Sequence, residues 1–170
     1  MAEDLFGDCE VEILAQRVLM SLNPQYYELI WNREKGHEFR RRYLTGHPTR
    51  WFVYLTAPVS RLAAVIDLNT AIVDTPDRIA AIAEQARVGN GESVYEYMRD
   101  LPHGFALPIQ NVREHDGYSV QELAATLGKF HPPQGYTLID KHPALAAICD
   151  QLAASEIRRD LRVEHPASVP

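Results

Sequence analysis

Three strand-like segments follow one another between His37 and Val73 with only turns to separate them. His37–Tyr43 (HEFRRRY) leads through Gly46-His47-Pro48 to Trp51–Leu55 (WFVYL). That second run is the strongest strand signal in the chain, dense in aromatic and β-branched residues. Ala57-Pro58 breaks it, and Arg61–Val73 (RLAAVIDLNTAIV) then reads as one long or bent strand. Parallel neighbours need a crossover of about a dozen residues or more, usually a helix. These turns leave no room for one, so a doubly wound parallel fold is disfavoured. The pattern predicts an α+β chain whose strands form a mixed or antiparallel sheet or barrel, with helices inserted at its flanks.

The flanking elements carry local signals. Arg17–Leu22 (RVLMSL) is a candidate buried strand, and Asn23-Pro24 then starts a helix through Trp31 with Tyr26, Leu29 and Ile30 on its apolar face. Thr75-Pro76-Asp77 starts another, lined inside by Ile79, Ile82, Ala83 and Ala86, and Gly89-Asn90-Gly91 ends it. Ser93–Leu101 reads as a short helix with Tyr97 and Leu101 at i, i+4. Gly104–Val112 returns to strand, and Ser119 with Glu122 forms a capping box for a helix to Leu127. Lys129–Gly135 is an extended proline-rich loop, Tyr136–Ile139 a last strand, and Ala144 to about Arg162 a helix before a frayed tail from His165. The organisation expected is an acidic extension over 1–16 with a short amphipathic segment, a domain over 17–142, and a C-terminal helix and tail over 143–170.

Length and composition fit one domain: 170 residues, 46% hydrophobic and 24% charged. The net charge of −6 argues against a uniformly basic nucleic-acid binder, but the charge is uneven. Arg33, Lys35, Arg40, Arg41, Arg42 and Arg50 face only Glu34 and Glu38 between positions 33 and 50, a local net of +4. The rest of the chain carries −10. Fourteen of the seventeen bases are arginine, which suits phosphate recognition. No apolar run approaches the ~18 residues of a membrane span. The start, MAEDLFGDCE, lacks a basic n-region, so a cytoplasmic protein is expected. Cys9 and Cys149 form no redox or metal motif, and none of the seven histidines makes the i, i+4 pair of a helical zinc site. No metal and no cofactor is expected. His37 and His131 are the better-placed histidines for a general base, and neither Ser21 nor Ser60 sits in a nucleophile elbow.

Two constellations remain. On a strand, Glu38, Arg40 and Arg42 share one face and His37, Phe39, Arg41 and Tyr43 the other. Glu38 and Arg40 can then hold each other beside a cavity, while Lys35 in the preceding turn reaches a phosphate or a carbonyl. The bland alternative is a solvated charged strand with a surface ion pair. Beside it lie Tyr26, Tyr27, Trp31, Trp51, Phe52 and Tyr54. Most belong to a core, leaving one or two rings free to stack on a base. At the C-terminus Leu145, Ile148, Cys149 and Leu152 form a narrow apolar stripe, which packs on the barrel or forms a homodimer.

Several stretches, in order, resemble the ASCH domain family. Ser21-Leu22-Asn23-Pro24-Gln25-Tyr26 is similar to its Ser-x-x-Pro-x-Tyr opening, and Lys35-Gly36-His37-Glu38-Phe39-Arg40 to its Lys-x-x-Glu-x-Arg. Tyr54-Leu55-Thr56-Ala57-Pro58, Gly104-Phe105-Ala106-Leu107 and Pro132-Pro133-Gln134 resemble three further family segments. The resemblance spans about two thirds of the chain. It implies a PUA-like fold, a small open β-barrel of mixed strands with a cleft beside the first helix, and a function near RNA. On it Ser21, Pro24, Tyr26, Lys35, Glu38, Arg40, Arg42 and Tyr54 are the candidate ligand-binding residues. The implied ligand is single-stranded RNA or a nucleotide-like small molecule, including a modified base. A bacterial branch of the family deacylates acetylated cytidine, and some members are credited with ribonuclease activity. In an enzyme of either kind, Lys35 and Glu38 would be catalytic. That branch carries a threonine where this chain has Glu38, and Gly36, Asn23 and Ala64 also depart from the usual family residues. A third class of function, a coregulator-type interaction domain, rests on the acidic first twelve residues and the C-terminal stripe.

Overall fold

The computed structural model describes residues 15–165. The amphipathic segment expected before Ala15 and the tail beyond His165 lie outside them. Eight strands form one mixed sheet that curls into a half-barrel, ordered β2-β6-β4-β3-β1-β7, with β5 and β8 also on β6. The strands are β1 (Gln16–Leu22), β2 (His37–Arg40), β3 (Thr49–Leu55), β4 (Arg61–Leu68), β5 (Ile72–Asp74), β6 (Gly104–Ser119), β7 (Thr137–Leu138) and β8 (Arg159–Arg162). The helices are α1 (Pro24–Trp31), α2 (Pro76–Ala86), α3 (Asn90–Met98), α4 (Val120–Leu127) and α5 (Pro143–Ala154). Among the described residues only β1 and β3 pair in parallel, and the chain between them contains α1 and β2. That excursion supplies the crossover a parallel pair requires.

Local chemistry sets the helix starts. Asn23 accepts the Gln25 amide 2.8 Å away, with Pro24 at the first turn of α1. Pro76 opens α2, and Ser119 and Glu122 cap α4 reciprocally. The side-chain alternation of β1 and β3 feeds two cores. Val18, Met20, Trp51, Val53 and Leu55 point inside the curl, where Tyr27 and Ile30 of α1 cover them. Leu19, Phe52 and Tyr54 point to the other face, beneath α4 and α5. Leu145, Ile148, Cys149 and Leu152 are buried there, so the C-terminal stripe packs on its own sheet. Burial pushes the Cys149 thiol up to about 12. A smaller core of Ile79, Ala83, Val94, Met98 and Ala106 fixes the α2–α3 hairpin on β6.

Four expectations need correction. The strand over His37–Tyr43 ends at Arg40, where the chain bends away. Arg61–Val73 is two strands, broken at 69–71. The last strand is only Thr137–Leu138, followed by a single turn of 3-10 helix. The C-terminal helix stops at Ala154, and β8 follows it onto β6. Among the described residues no helix is long and apolar enough to cross a membrane. No cluster of three or more His, Cys, Asp or Glu side chains among them could hold a metal.

β8 is locked to α1 by Arg159. Its guanidinium donates at 3.0 Å to both carboxylate oxygens of Glu114 and at 2.8 Å to Glu28. It lies 4.0 Å from the Trp31 ring centre, and the Tyr27 hydroxyl donates to the same Glu114 at 2.8 Å. Arg159→Ala should therefore lower the unfolding free energy by about 1–3 kcal/mol in urea titrations. Arg159→Lys should recover only part, because an ammonium lacks the planar fork. A loss within ~0.5 kcal/mol would mark the cluster as surface decoration.

Candidate functional site

The turn after α1 delivers the first group. Arg33 adopts a left-handed backbone, φ 64°, and the amides of Glu34 and Lys35 both donate to the Leu29 carbonyl at 2.9 and 3.1 Å. This tight closure turns the Lys35 side chain inward. β2 delivers the next two. Its pairing with β6 sets Glu38 opposite Leu107 and Arg40 opposite Phe105, so their side chains share one face.

The three charges meet below the surface, with side chains only 13%, 10% and 17% exposed for Lys35, Glu38 and Arg40. Lys35 Nζ is 3.8 Å from Glu38 Oε2, and Arg40 Nε is 3.8 Å from Glu38 Oε1. Those separations give Coulombic attraction but not hydrogen bonds. Glu38 Oε1 accepts from the Phe39 amide at 3.2 Å. Oε2 and the Arg40 Nε are buried without a hydrogen-bond partner. Arg40 is otherwise well held: it donates to the Ser21 carbonyl at 3.0 Å and lies 5.7 Å over Trp51. Trp51 is itself fixed by a 3.0 Å bond to the Met20 carbonyl. Lys35 sits 5.5 Å from the Phe39 ring centre and 5.9 Å from that of Tyr26. Burial pushes its ammonium below the usual lysine range; Glu38 opposes that shift, and Arg40 and Arg87 reinforce it.

These groups line one side of an open cleft of about 400 Å³ between α1, β2 and the α2–α3 hairpin. Of the eight ligand-binding candidates, Ser21, Tyr26, Lys35, Glu38 and Arg40 line it. The other three lie elsewhere. Pro24 serves as the first residue of α1. Arg42 is exposed on the bend after β2, because the strand ends before it. Tyr54 is 2% exposed in the second core, against Phe130, since strand parity sends it to the opposite face from Val53 and Leu55. The Ser21 hydroxyl donates to the Pro133 carbonyl at 2.8 Å, tying the proline loop to the cleft.

The opposite wall comes from residues the sequence did not single out as ligand-binding. Arg87, Asn90, Ser93 and Tyr97 line it. Tyr97 is 46% exposed. Tyr26 and Tyr97 therefore present two exposed rings to the cleft from two different helices. The basic run is also dispersed. Arg41 pairs with Asp100 and Arg50 with Asp67. Of its six cations, only Lys35 and Arg40 line the cleft.

His37 stands at the start of β2, its Nδ1 buried without a partner and its ring 4.9 Å from that of His165. Burial, with His165 and Lys35 nearby, brings its pKa down to about 4. Between the unfolded value near ~6.5 and about 4, the unfolded chain takes up a proton that the folded chain does not. Stability should thus be full above that window and fall as pH drops through it. His37→Phe should flatten this fall by about 1–2 kcal/mol in denaturant titrations at pH 7 and 5. An unchanged slope would show that the ring titrates normally.

No family model matches the sequence, and no curated protein matches it. Solved structures match its fold. The ASCH protein of Zymomonas mobilis superimposes with a TM-score of 0.62 at 20% identity, over 78% of this chain and 94% of that one. A serine-to-alanine mutant of that protein gives 0.69 at 18% identity, over 82% and 97%. A tyrosine-to-phenylalanine mutant gives 0.64 at 19%, over 81% and 98%. Identity at this level speaks for architecture. The chain therefore has the α+β fold of the Zymomonas mobilis ASCH protein.

Proposed function

We propose that this protein is an RNA- or nucleotide-binding module whose cleft takes a nucleobase from single-stranded RNA or from a nucleotide. The observation that carries the proposal is the buried Lys35–Glu38–Arg40 set, in which Glu38 Oε2 is left without a hydrogen-bond donor. A base edge offers an N–H beside a carbonyl or ring nitrogen. The carboxylate accepts the first and the Lys35 ammonium donates to the second. Tyr26 and Tyr97 supply rings on which a base can stack. A cleft of about 400 Å³ suits one nucleotide rather than a duplex. The resemblance of Lys35–Arg40 to the ASCH signature supports the same reading.

Calorimetry with nucleosides and with short single-stranded RNA at ~50 mM salt tests it. Glu38→Gln, which keeps the shape but replaces one oxygen by a donor, should weaken base binding by about tenfold or more. Lys35→Ala should do the same. RNA affinity should fall as salt rises. Absence of any binding, or full affinity in both variants, would overturn the proposal.

One observation favours a second reading, a hydrolase acting on a modified nucleoside or RNA. Lys35 is held below the usual lysine range beside a carboxylate in a cleft, as in sites where an amine acts as base or nucleophile. Mass spectrometry of acylated nucleosides and RNA oligomers incubated with the protein should then show turnover that Lys35→Ala abolishes. Unchanged masses leave the binding module.

A further inference from the structure

Arg87 lines the cleft with no side-chain partner among the described residues. It ends α2, its amide donating to the Ala83 carbonyl and its carbonyl accepting the Asn90 amide, both at 3.1 Å. The backbone is thus pinned on both sides. Arg87 lines the cleft, its charge is felt at Lys35, and its side chain makes no hydrogen bond or ion pair among the described residues. The first amides of α3 already have acceptors. Gly89 and Gly91 each donate at 2.9 Å to the Glu84 carboxylate.

The charge in the cleft is unbalanced. Lys35, Arg40 and Arg87 share the cleft with one buried carboxylate, Glu38, and the other acid at the cleft, Glu34, is exposed. Gathering like charges where water is scarce costs free energy unless an anion joins them. A guanidinium with its fork unoccupied matches the oxygens of a phosphate.

We propose that Arg87 is a phosphate-binding residue, so that the ligand is a nucleotide with its base at Lys35 and Glu38 and its phosphate on the α2–α3 hairpin. This rests on the base-binding reading of the cleft given above. A phosphate of this kind can come from a free mononucleotide or from an RNA backbone.

Calorimetry tests it with the four nucleosides, their 5′-monophosphates and the corresponding dinucleoside phosphates, against wild type, Arg87→Ala and Arg87→Lys. The best-bound base should bind about tenfold or more tightly as its phosphate than as its nucleoside. Arg87→Ala should remove most of that difference, weakening the monophosphate about tenfold more than the nucleoside, while Arg87→Lys keeps part of it. A gain for the dinucleoside phosphate as well assigns the phosphate to RNA; a gain for the monoester alone assigns it to free nucleotide. Equal binding of nucleoside and monophosphate by wild type, or equal weakening of both by Arg87→Ala, would overturn the phosphate assignment and leave base binding standing. Failure of every compound to bind would overturn both.

Discussion

β6 is the strand to which β2, β4, β5 and β8 all attach. It runs for sixteen residues, and other strands pair on both of its edges. Ala106 is opposite Phe39 of β2 on one side and Ile72 of β5 on the other. Farther along, Arg113 is opposite Val65 of β4 and Asp160 of β8. A strand so long cannot stay flat beneath a curled sheet. Its register with β4 shifts between Leu62 and Ala64 and again between Asp67 and Leu68. Such irregularities bend a strand and raise its twist. Gly117 permits the closest approach, with φ +71°, where an added Cβ would stand 1.9 Å from the Leu62 carbonyl oxygen. β2 is four residues long and pairs in this sheet only with β6. The positions of Glu38 and Arg40 are therefore consequences of long-range strand pairing.

Two ion clusters flank α1, and their contrast separates structure from function. Arg159, Glu114, Glu28 and Tyr27 are tied by direct hydrogen bonds of 2.8 to 3.0 Å. A cluster that complete returns its desolvation cost as cohesion. Lys35, Glu38 and Arg40 are more deeply covered, yet two of their polar atoms lack partners and the charges stand 3.8 Å apart. A buried, half-satisfied charge set is a poor device for stability. Its geometry has a use only if something else completes it.

Local signals in the sequence were legible and long-range ones were not. Asn23-Pro24, Pro76 and the Ser119–Glu122 box each report their own helix start within a few residues. β8 was hidden because Arg159–Arg162 follows a helical pattern directly and its reason for being extended lies in β6. Lys35, Glu38 and Arg40 were readable as a spacing that matches a signature. Tyr54 was misplaced because Trp51–Leu55 is buried on both faces, so composition does not tell which face meets the cleft. Arg87 and Tyr97 carry no local mark. Their place in the site follows from how Ile79, Ala83, Val94 and Met98 seat the hairpin on Ala106.

The basic run shows how the same residues divide between holding the site and forming it. Summed along the chain, Arg33 to Arg50 looks like one patch. In space Arg50 is neutralised by Asp67, which also meets Arg113. Arg41 has a different task. It donates at 2.5 Å to the Tyr97 carbonyl and at 2.7 Å to both oxygens of Asp100. That ties the chain just beyond β2 to the end of α3, so one arginine couples the two walls of the cleft. Arg40 and Arg41 are adjacent on the chain, yet Arg40 lines the cleft while Arg41 reaches the hairpin. This ion pair and the small core beneath the hairpin both join the hairpin to the rest of the fold. On the proposed reading, a basic stretch that anchors the hairpin through Arg41 and turns Arg40 into the cleft suits a compact ligand gripped between two walls, and it is ill suited to a long groove that tracks a nucleic-acid backbone.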